Sequence, residues 1–380
     1  MKILVVGGSN TAMRPGYVGD LSELLKTDAS EEDSFEVHAI ALGANACTMG
    51  LELLQGVDVT EYDVVCIEYF INDTLLLGAL KNRPTWVGAY SGLHQLIRTA
   101  SPKTKILNLI LCRMRLRGSE EPMRRLVFDI ANEFSASVLD IDAILRSSLP
   151  NEEFTKLYSN NSHYAHGAAT ARIAGLVARE LLSLDSSSAS SVNKKSDNRV
   201  SFEHAGVLSL HTELKGTRKS FKNSRYSINA ACLRHGSPLA VTVPGSLISV
   251  SFLSVPATGS ILISEDGETP VLVDTLHKDV IASRWKFLVQ SVIFKDKSWS
   301  ESPDALASAR TVRFELVSAE RRPELLRYLQ PSSLTETELP EFEQEAYLIG
   351  CMYYRNEVDV SLVEEIPGLE FVSGKVFKYD

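Results

Sequence analysis

A three-layer α/β domain with a parallel sheet, followed by a β-sandwich, is the fold class this sequence predicts, and three observations predict it. The first half alternates short apolar runs with longer stretches whose apolar residues recur at helical spacing, the pattern of a parallel sheet covered by helices on both faces. Next comes the Ser-rich polar run SLDSSSASSVNKKSDN at 183–198, which offers almost nothing to bury and reads as a flexible linker. Beyond it the helical spacing gives way to short strand-like runs with turn residues between them. The chain therefore divides into a domain at 1–183, a linker at 184–199 and a second domain at 200–380.

In order along the first domain, the strand candidates are Lys2 to Val6, Glu36 to Leu42, Val64 to Ile67, Ile106 to Leu111 and Ser137 to Ile141. Ile3 to Val6 is apolar at every position, as a strand covered on both faces requires. Helical spacing marks Gly19 to Lys26, Thr74 to Leu80, Gly88 to Thr99, Glu121 to Phe134 and the alanine-rich Ala168 to Leu182, with Pro84 and Pro102 as breaks. In the second domain Leu247 to Val255, Ile261 to Ser264, Val271 to Asp274, Trp285 to Phe294 and Thr311 to Val317 are strand candidates. In the last of these, Val312, Phe314 and Leu316 alternate with Arg313 and Glu315, which gives one buried and one wet face. Ser264 to Pro270 reads as a hairpin connection. The acidic 319–345 is an irregular or helical excursion before returning strands at Ala346 to Tyr354 and Phe371 to Tyr379.

Composition narrows the partners. The 380 residues carry a net charge of -9, which gives no general attraction to nucleic acid or anionic membranes. The basic run Arg113 to Arg117 is read as a solvated face. Five cysteines at 47, 66, 112, 232 and 351 include no Cys-x-x-Cys pair, so packed, reduced thiols are expected. The apolar run in MKILVVGG is too short for a signal peptide, and no later run reaches membrane-spanning length, so the cytoplasm is the expected location.

Four stretches of the first domain belong together chemically. Gly7-Gly8-Ser9-Asn10 presents a serine at the end of the first strand. Ala41 to Asn45 offers Gly43, where a backbone amide can approach a substrate oxygen closely. Glu68 to Thr74 places the Asn72 amide after the third strand, and Asn160 to Gly167 brings His163 just before the last helix. Strand ends are where a doubly wound sheet builds its site. Each piece alone has an ordinary explanation: Ser9 as a turn or helix-terminal residue, Gly43 as a turn glycine, Asn72-Asp73 as a cap for the following helix. His163 and His166 stand three apart, but no nearby carboxylate completes a metal-ligand set.

In this order the four stretches resemble the SGNH hydrolases, the GDSL esterase/lipase family, over about half the chain. The resemblance implies a three-layer, flavodoxin-like parallel sheet, with Ser9 as nucleophile, His163 as base, and the Ser9 amide, Gly43 and Asn72 as oxyanion donors. The Gly-Gly-Ser-Asn form and the Glu68-Tyr-x-Ile-Asn-Asp context are similar to a branch met among bacterial glycan-processing proteins. Two departures stand out. The usual Gly-Asp-Ser is Gly7-Gly8-Ser9, and the aspartate three residues before the histidine is Asn160. An asparagine can orient the imidazole through its carbonyl but supplies no charge. Asp142 and Glu68 are alternative orienting acids.

The activity expected is that of a serine esterase removing a small acyl group, acetyl above all, from an O-acylated carbohydrate or another small ester, with no metal or organic cofactor. Two rivals are a glycan O-acyltransferase using the same serine and a glycan-binding protein with a weakened site. Trp285, Trp299, Tyr353 and Tyr354 suggest a sugar-stacking platform, although buried core aromatics are the commoner arrangement in a sandwich. The second domain is read as binding glycan, shaping the cleft or making a homo-oligomer.

Overall fold

The computed structural model describes residues 1–28, 34–116, 118, 120–185, 202, 205–213, 217–223, 226–256, 258–282, 285–294, 306–330, 345–355, 369–371 and 377–378. Two compact units result, one of Met1–Glu203 with Lys375–Asp380 and one of His204–Gly374. Most of the Ser-rich run, together with Trp299 and much of the acidic excursion, lies outside the described residues.

In the first unit the strands are β1 (Lys2–Gly7), β2 (Glu36–Ala41), β3 (Val64–Glu68), β4 (Lys105–Leu109) and β5 (Ser137–Leu139). They are parallel in the order β2-β1-β3-β4-β5, the doubly wound order whose chain direction switches between β1 and β3. Ile3, Leu4, Val5 and Val6 are 0% exposed because helices cover both faces. The helices are α1 (Ser9–Ala12), α2 (Tyr17–Asp28), α3 (Cys47–Leu54), α4 (Phe70–Leu76), α5 (Arg83–Ala100), α6 (Glu120–Glu133), α7 (Ile141–Ser148), α8 (Asn151–Lys156) and α9 (Ala168–Asp185). Ile3, Val5, Val64, Cys66, Leu107 and Leu109 share one core with residues of α2 and α9, while α3 packs against β1 and α5.

Several elements differ from the sequence reading. Pro84 does not break a helix but sits in the first turn of α5, where its missing N–H is not needed. Arg113 belongs to no solvated face: it is 1% exposed and pairs at 2.5 Å with buried Glu120. All five cysteines are buried thiols outside any disulfide.

The second unit contains two antiparallel sheets around one core. One comprises β6 (Gly206–Ser209), β7 (Thr217–Lys222), β8 (Tyr226–Arg234), β10 (Leu247–Ser254), β13 (Leu288–Ile293), β15 (Glu345–Tyr353) and β16 (Leu369–Phe371). The other is β12 (Val271–Asp274), β11 (Ser260–Glu265), β14 (Arg310–Val317) and β9 (Leu239–Val243). Val250, Phe252 and Leu348 from the first sheet share a core with Ile261, Ile263 and Phe314 from the second. The expected alternation holds in β14, where Val312 and Phe314 are 0% exposed and Arg313 is exposed. Tyr353 and Tyr354 are buried, whereas Trp285 is half exposed. The stretch Phe371 to Tyr379 is not one returning strand. β16 ends at Phe371, and the two-residue β17 (Phe377–Lys378) belongs to the first unit, antiparallel to β2.

Candidate active site

The site is built from the carboxyl ends of β1, β2 and β3 and from the loop before α9. At the end of β1, Gly7 lies level with Ala41 of β2 and Glu68 of β3. Both glycines that follow the apolar run are close-approach positions. A methyl on Gly7 would run into Thr11 Oγ1 and stand 2.9 Å from the Glu68 carbonyl, and one on Gly8 would stand 2.9 Å from both Cγ and Nδ2 of Asn72. The Gly8 N–H donates to the Glu68 carbonyl at 2.9 Å. Asn72 occupies the space that a side chain at position 8 would enter.

Gly8 is the N-cap of α1 and Ser9 its first residue, so Ser9 does not hold the position from which a serine caps a helix. It is partly exposed. Gly43 faces it across the β2 end: a methyl there would lie 3.6 Å from Ser9 Cβ, an ordinary contact.

Asn72 and Asp73 both lie inside α4 and so cap nothing there. Asn72, 6% exposed, donates one Nδ2–H to the Asn45 carbonyl at 2.7 Å, and the Asn45 side chain donates to the Gly43 carbonyl at 2.9 Å. Gly43 and Asn72 are thereby joined through Asn45, and the second Nδ2–H of Asn72 has a fixed direction. Ala44, at φ 60°, completes the turn between them. Asp73 accepts from the Cys47 N–H at 2.8 Å, at the start of α3, and from Trp86 Nε1 at 2.9 Å. Burial pushes its carboxyl up to about 7 despite those two donors.

His163 sits in a tight loop. The Asn160 side-chain oxygen accepts the backbone N–H of Ser162 at 2.9 Å and of His163 at 3.1 Å, and lies 3.0 Å from His163 Nδ1. Two backbone donors aimed at one atom identify it as the oxygen of the amide. Nδ1 then carries a proton and donates to that oxygen. The alternative orienting acids are engaged elsewhere. Asp142 is fully buried between Arg124 at 2.8 Å and Arg146 at 2.9 Å. Glu68 accepts from Thr11 Oγ1 at 2.8 Å, and burial pushes it up to about 8. His166 is exposed, and among the described residues no group of three or more His, Cys, Asp or Glu side chains could hold a metal.

The loop is tied down on both sides. Asn161 accepts from Met114 N–H at 3.0 Å and, through Oδ1, from Arg115 N–H at 2.9 Å. Tyr158 and Tyr164 stack with ring centroids 4.4 Å apart, and the Tyr158 hydroxyl donates to the Cys112 carbonyl at 3.0 Å. Asn10 contacts the loop from α1. The sequence reading quotes Asn10 and Asn45 but assigns them no role. Their proximity to Ser9 and Gly43 is the one signal it offers.

This arrangement, a 2-1-3-4-5 parallel sheet followed by antiparallel sheets, is shared with solved structures. In particular, the chain is similar to a two-domain esterase active on acetylated mannans, co-crystallized with mannopentaose. The TM-score is 0.65 at 15% identity, covering 94% of this chain and 91% of that one. A second structure of a two-domain esterase active on acetylated mannans matches at TM-score 0.64 and 14% identity, over 94% and 92%. A carbohydrate esterase family 3 structure from Talaromyces cellulolyticus covers 48% of this chain and 97% of its own, at 14% identity and TM-score 0.39. No protein-family model and no curated protein matches the chain. What is shared at these identities is the fold.

Proposed function

We propose that the chain is a serine esterase that removes a small acyl group, most simply acetyl, from an O-acylated carbohydrate. The observation that carries this reading is the Asn160–His163 arrangement, which turns Nδ1 of the imidazole to the Asn160 oxygen in a loop fastened beside the helix that starts at Ser9. His163 takes the Ser9 proton as the hydroxyl oxygen attacks the acyl carbonyl. The N–H groups of Ser9 and Gly43 and the remaining Asn72 Nδ2–H receive the oxyanion. Collapse of the tetrahedral intermediate expels the sugar hydroxyl, protonated by His163, and water then releases the acyl group by the same route in reverse. A small acyl group suits a serine bordered by Gly8, Gly43 and Asn72, and the fold shared with an acetylated-mannan esterase supports a carbohydrate leaving group.

The test is hydrolysis of p-nitrophenyl acetate and of acetylated mannan by wild type and Ser9→Ala. Loss of a nucleophile costs up to about a millionfold in serine hydrolases, so a folded Ser9→Ala protein that keeps wild-type turnover rules the assignment out. Adding an unacetylated oligosaccharide to the ester assay separates hydrolysis from transfer, since a transferase yields acetylated sugar instead of free acetate.

A further inference from the structure

We infer that Asn10 is a positioning residue for the Ser9–His163 pair, an inference that rests on the esterase reading. Asn10 Nδ2 donates to the Ser162 carbonyl at 3.0 Å, and the Tyr164 N–H donates to Asn10 Oδ1 at 3.2 Å. One amide therefore grips the backbone immediately before and immediately after His163. The same residue is the next one in the chain after Ser9, and it is only 4% exposed.

The grip matters because it is made between the two segments that carry the pair. α1 is a four-residue turn, too short to hold itself as an isolated helix. The loop's other ties, through Asn161 and Tyr158, fasten it to the segment after β4 and not to the end of β1. Asn10 joins the loop that carries the histidine to the helix that carries the serine. A displacement of about 1 Å between reacting groups is enough to cost about 100-fold in rate.

The chemistry also selects asparagine. The site needs one donor and one acceptor on a single planar group of this reach. Aspartate would meet the Tyr164 N–H but set a carboxylate against the Ser162 carbonyl, and alanine would meet neither. Glutamine has the right groups one methylene too far out.

The experiment compares wild type, Asn10→Ala, Asn10→Asp and Ser9→Ala. It measures kcat and KM on p-nitrophenyl acetate, the rate of Ser9 phosphorylation by paraoxon, Tm, and amide hydrogen exchange across 158–165. The expected result is a kcat lower by about 10- to 100-fold per folded molecule with KM little changed, phosphorylation slowed by the same factor, and faster exchange at Tyr164. A residue that only stabilised the fold would lower Tm and leave both rates intact. If wild type reacts and a folded Asn10→Asp protein reacts as fast, the inference alone falls. If wild type neither turns over ester nor is labelled at Ser9, the esterase reading falls and takes the inference with it.

Discussion

The Asn160 side-chain oxygen lies 3.0 Å from Nδ1 of His163 and accepts that residue's own backbone N–H at 3.1 Å. The same atom thus sets the loop conformation and the imidazole tautomer. What it lacks is charge. Asn160→Asp should keep all three hydrogen bonds and add a carboxylate beside the ring, which favours the imidazolium and raises the pKa of His163. The acid limb of the kcat/KM profile then moves to higher pH, and turnover at neutral pH rises. In a serine protease the reverse change costs about four orders of magnitude, largely through the wrong tautomer. Here the tautomer is already correct and Asn160 is exposed, so a gain of roughly 10-fold, shrinking at high salt, is expected. An unchanged rate and pH profile in the folded variant would show that His163 works without an orienting charge.

Gly8→Asp restores the family's usual residue, yet it should lower activity. Any Cβ at Gly8 stands 2.9 Å from the Asn72 amide, which must move and with it the N–H proposed for the oxyanion. Displacing one such donor costs about 100- to 1000-fold in kcat. Gly8→Ala is the cleaner case, since it adds the Cβ without the charge, and the two variants should lose activity alike. Wild-type turnover in Gly8→Ala would mean that Asn72 is not in the oxyanion site.

The strand ends are legible in the sequence because β1 and β3 are buried on both faces, which leaves continuous apolar runs closed by Gly7 and Glu68. Side-chain direction beyond those ends is not legible. Whether Asn72 caps a helix or lies inside one turns on whether α4 begins at Phe70 or Thr74, four residues that apolar spacing does not separate. Asn10 and Asn45 act through bonds to backbone carbonyls far along the chain or around a turn, and no residue pattern encodes those. Arg113 looks solvated until Glu120 folds back onto it. β7 escapes notice because Thr217–Lys222 is nearly all exposed and shows no apolar alternation.

Asn72→Ala separates two contributions. The side chain donates to the buried Asn45 carbonyl, a bond worth about 1 kcal/mol of stability. Its second N–H is assigned to the oxyanion, where the loss is about 100- to 1000-fold in kcat with little change in KM. Thermal unfolding and steady-state kinetics on the same preparation should show a modest fall in Tm and a large fall in rate. A lower Tm with full turnover per folded molecule would leave Asn72 a purely structural role.

Glu68 gives the protein a pH-dependent stability that a substitution should remove. Burial beside β1 pushes its carboxyl from the ordinary 4.5 up to about 8, against the opposing hydrogen bond from Thr11. A folded-state pKa raised above the unfolded value means that the native protein holds the proton more tightly. The contribution is therefore fully present below about pH 4.5 and is lost as pH rises through about 8. Each unit of difference is worth about 1.4 kcal/mol, so the loss across that window is of the order of a few kcal/mol. Glu68→Gln keeps the shape of the protonated acid and has no proton to lose. It should melt close to wild type at pH 5 and progressively above it from pH 6 to pH 9. Nearby Asp73, raised to about 7, adds its own slope to both proteins, and the difference between the two curves reads Glu68 together with its coulombic coupling to Asp73. Parallel curves across the whole range would place the Glu68 carboxyl in contact with water in the folded protein.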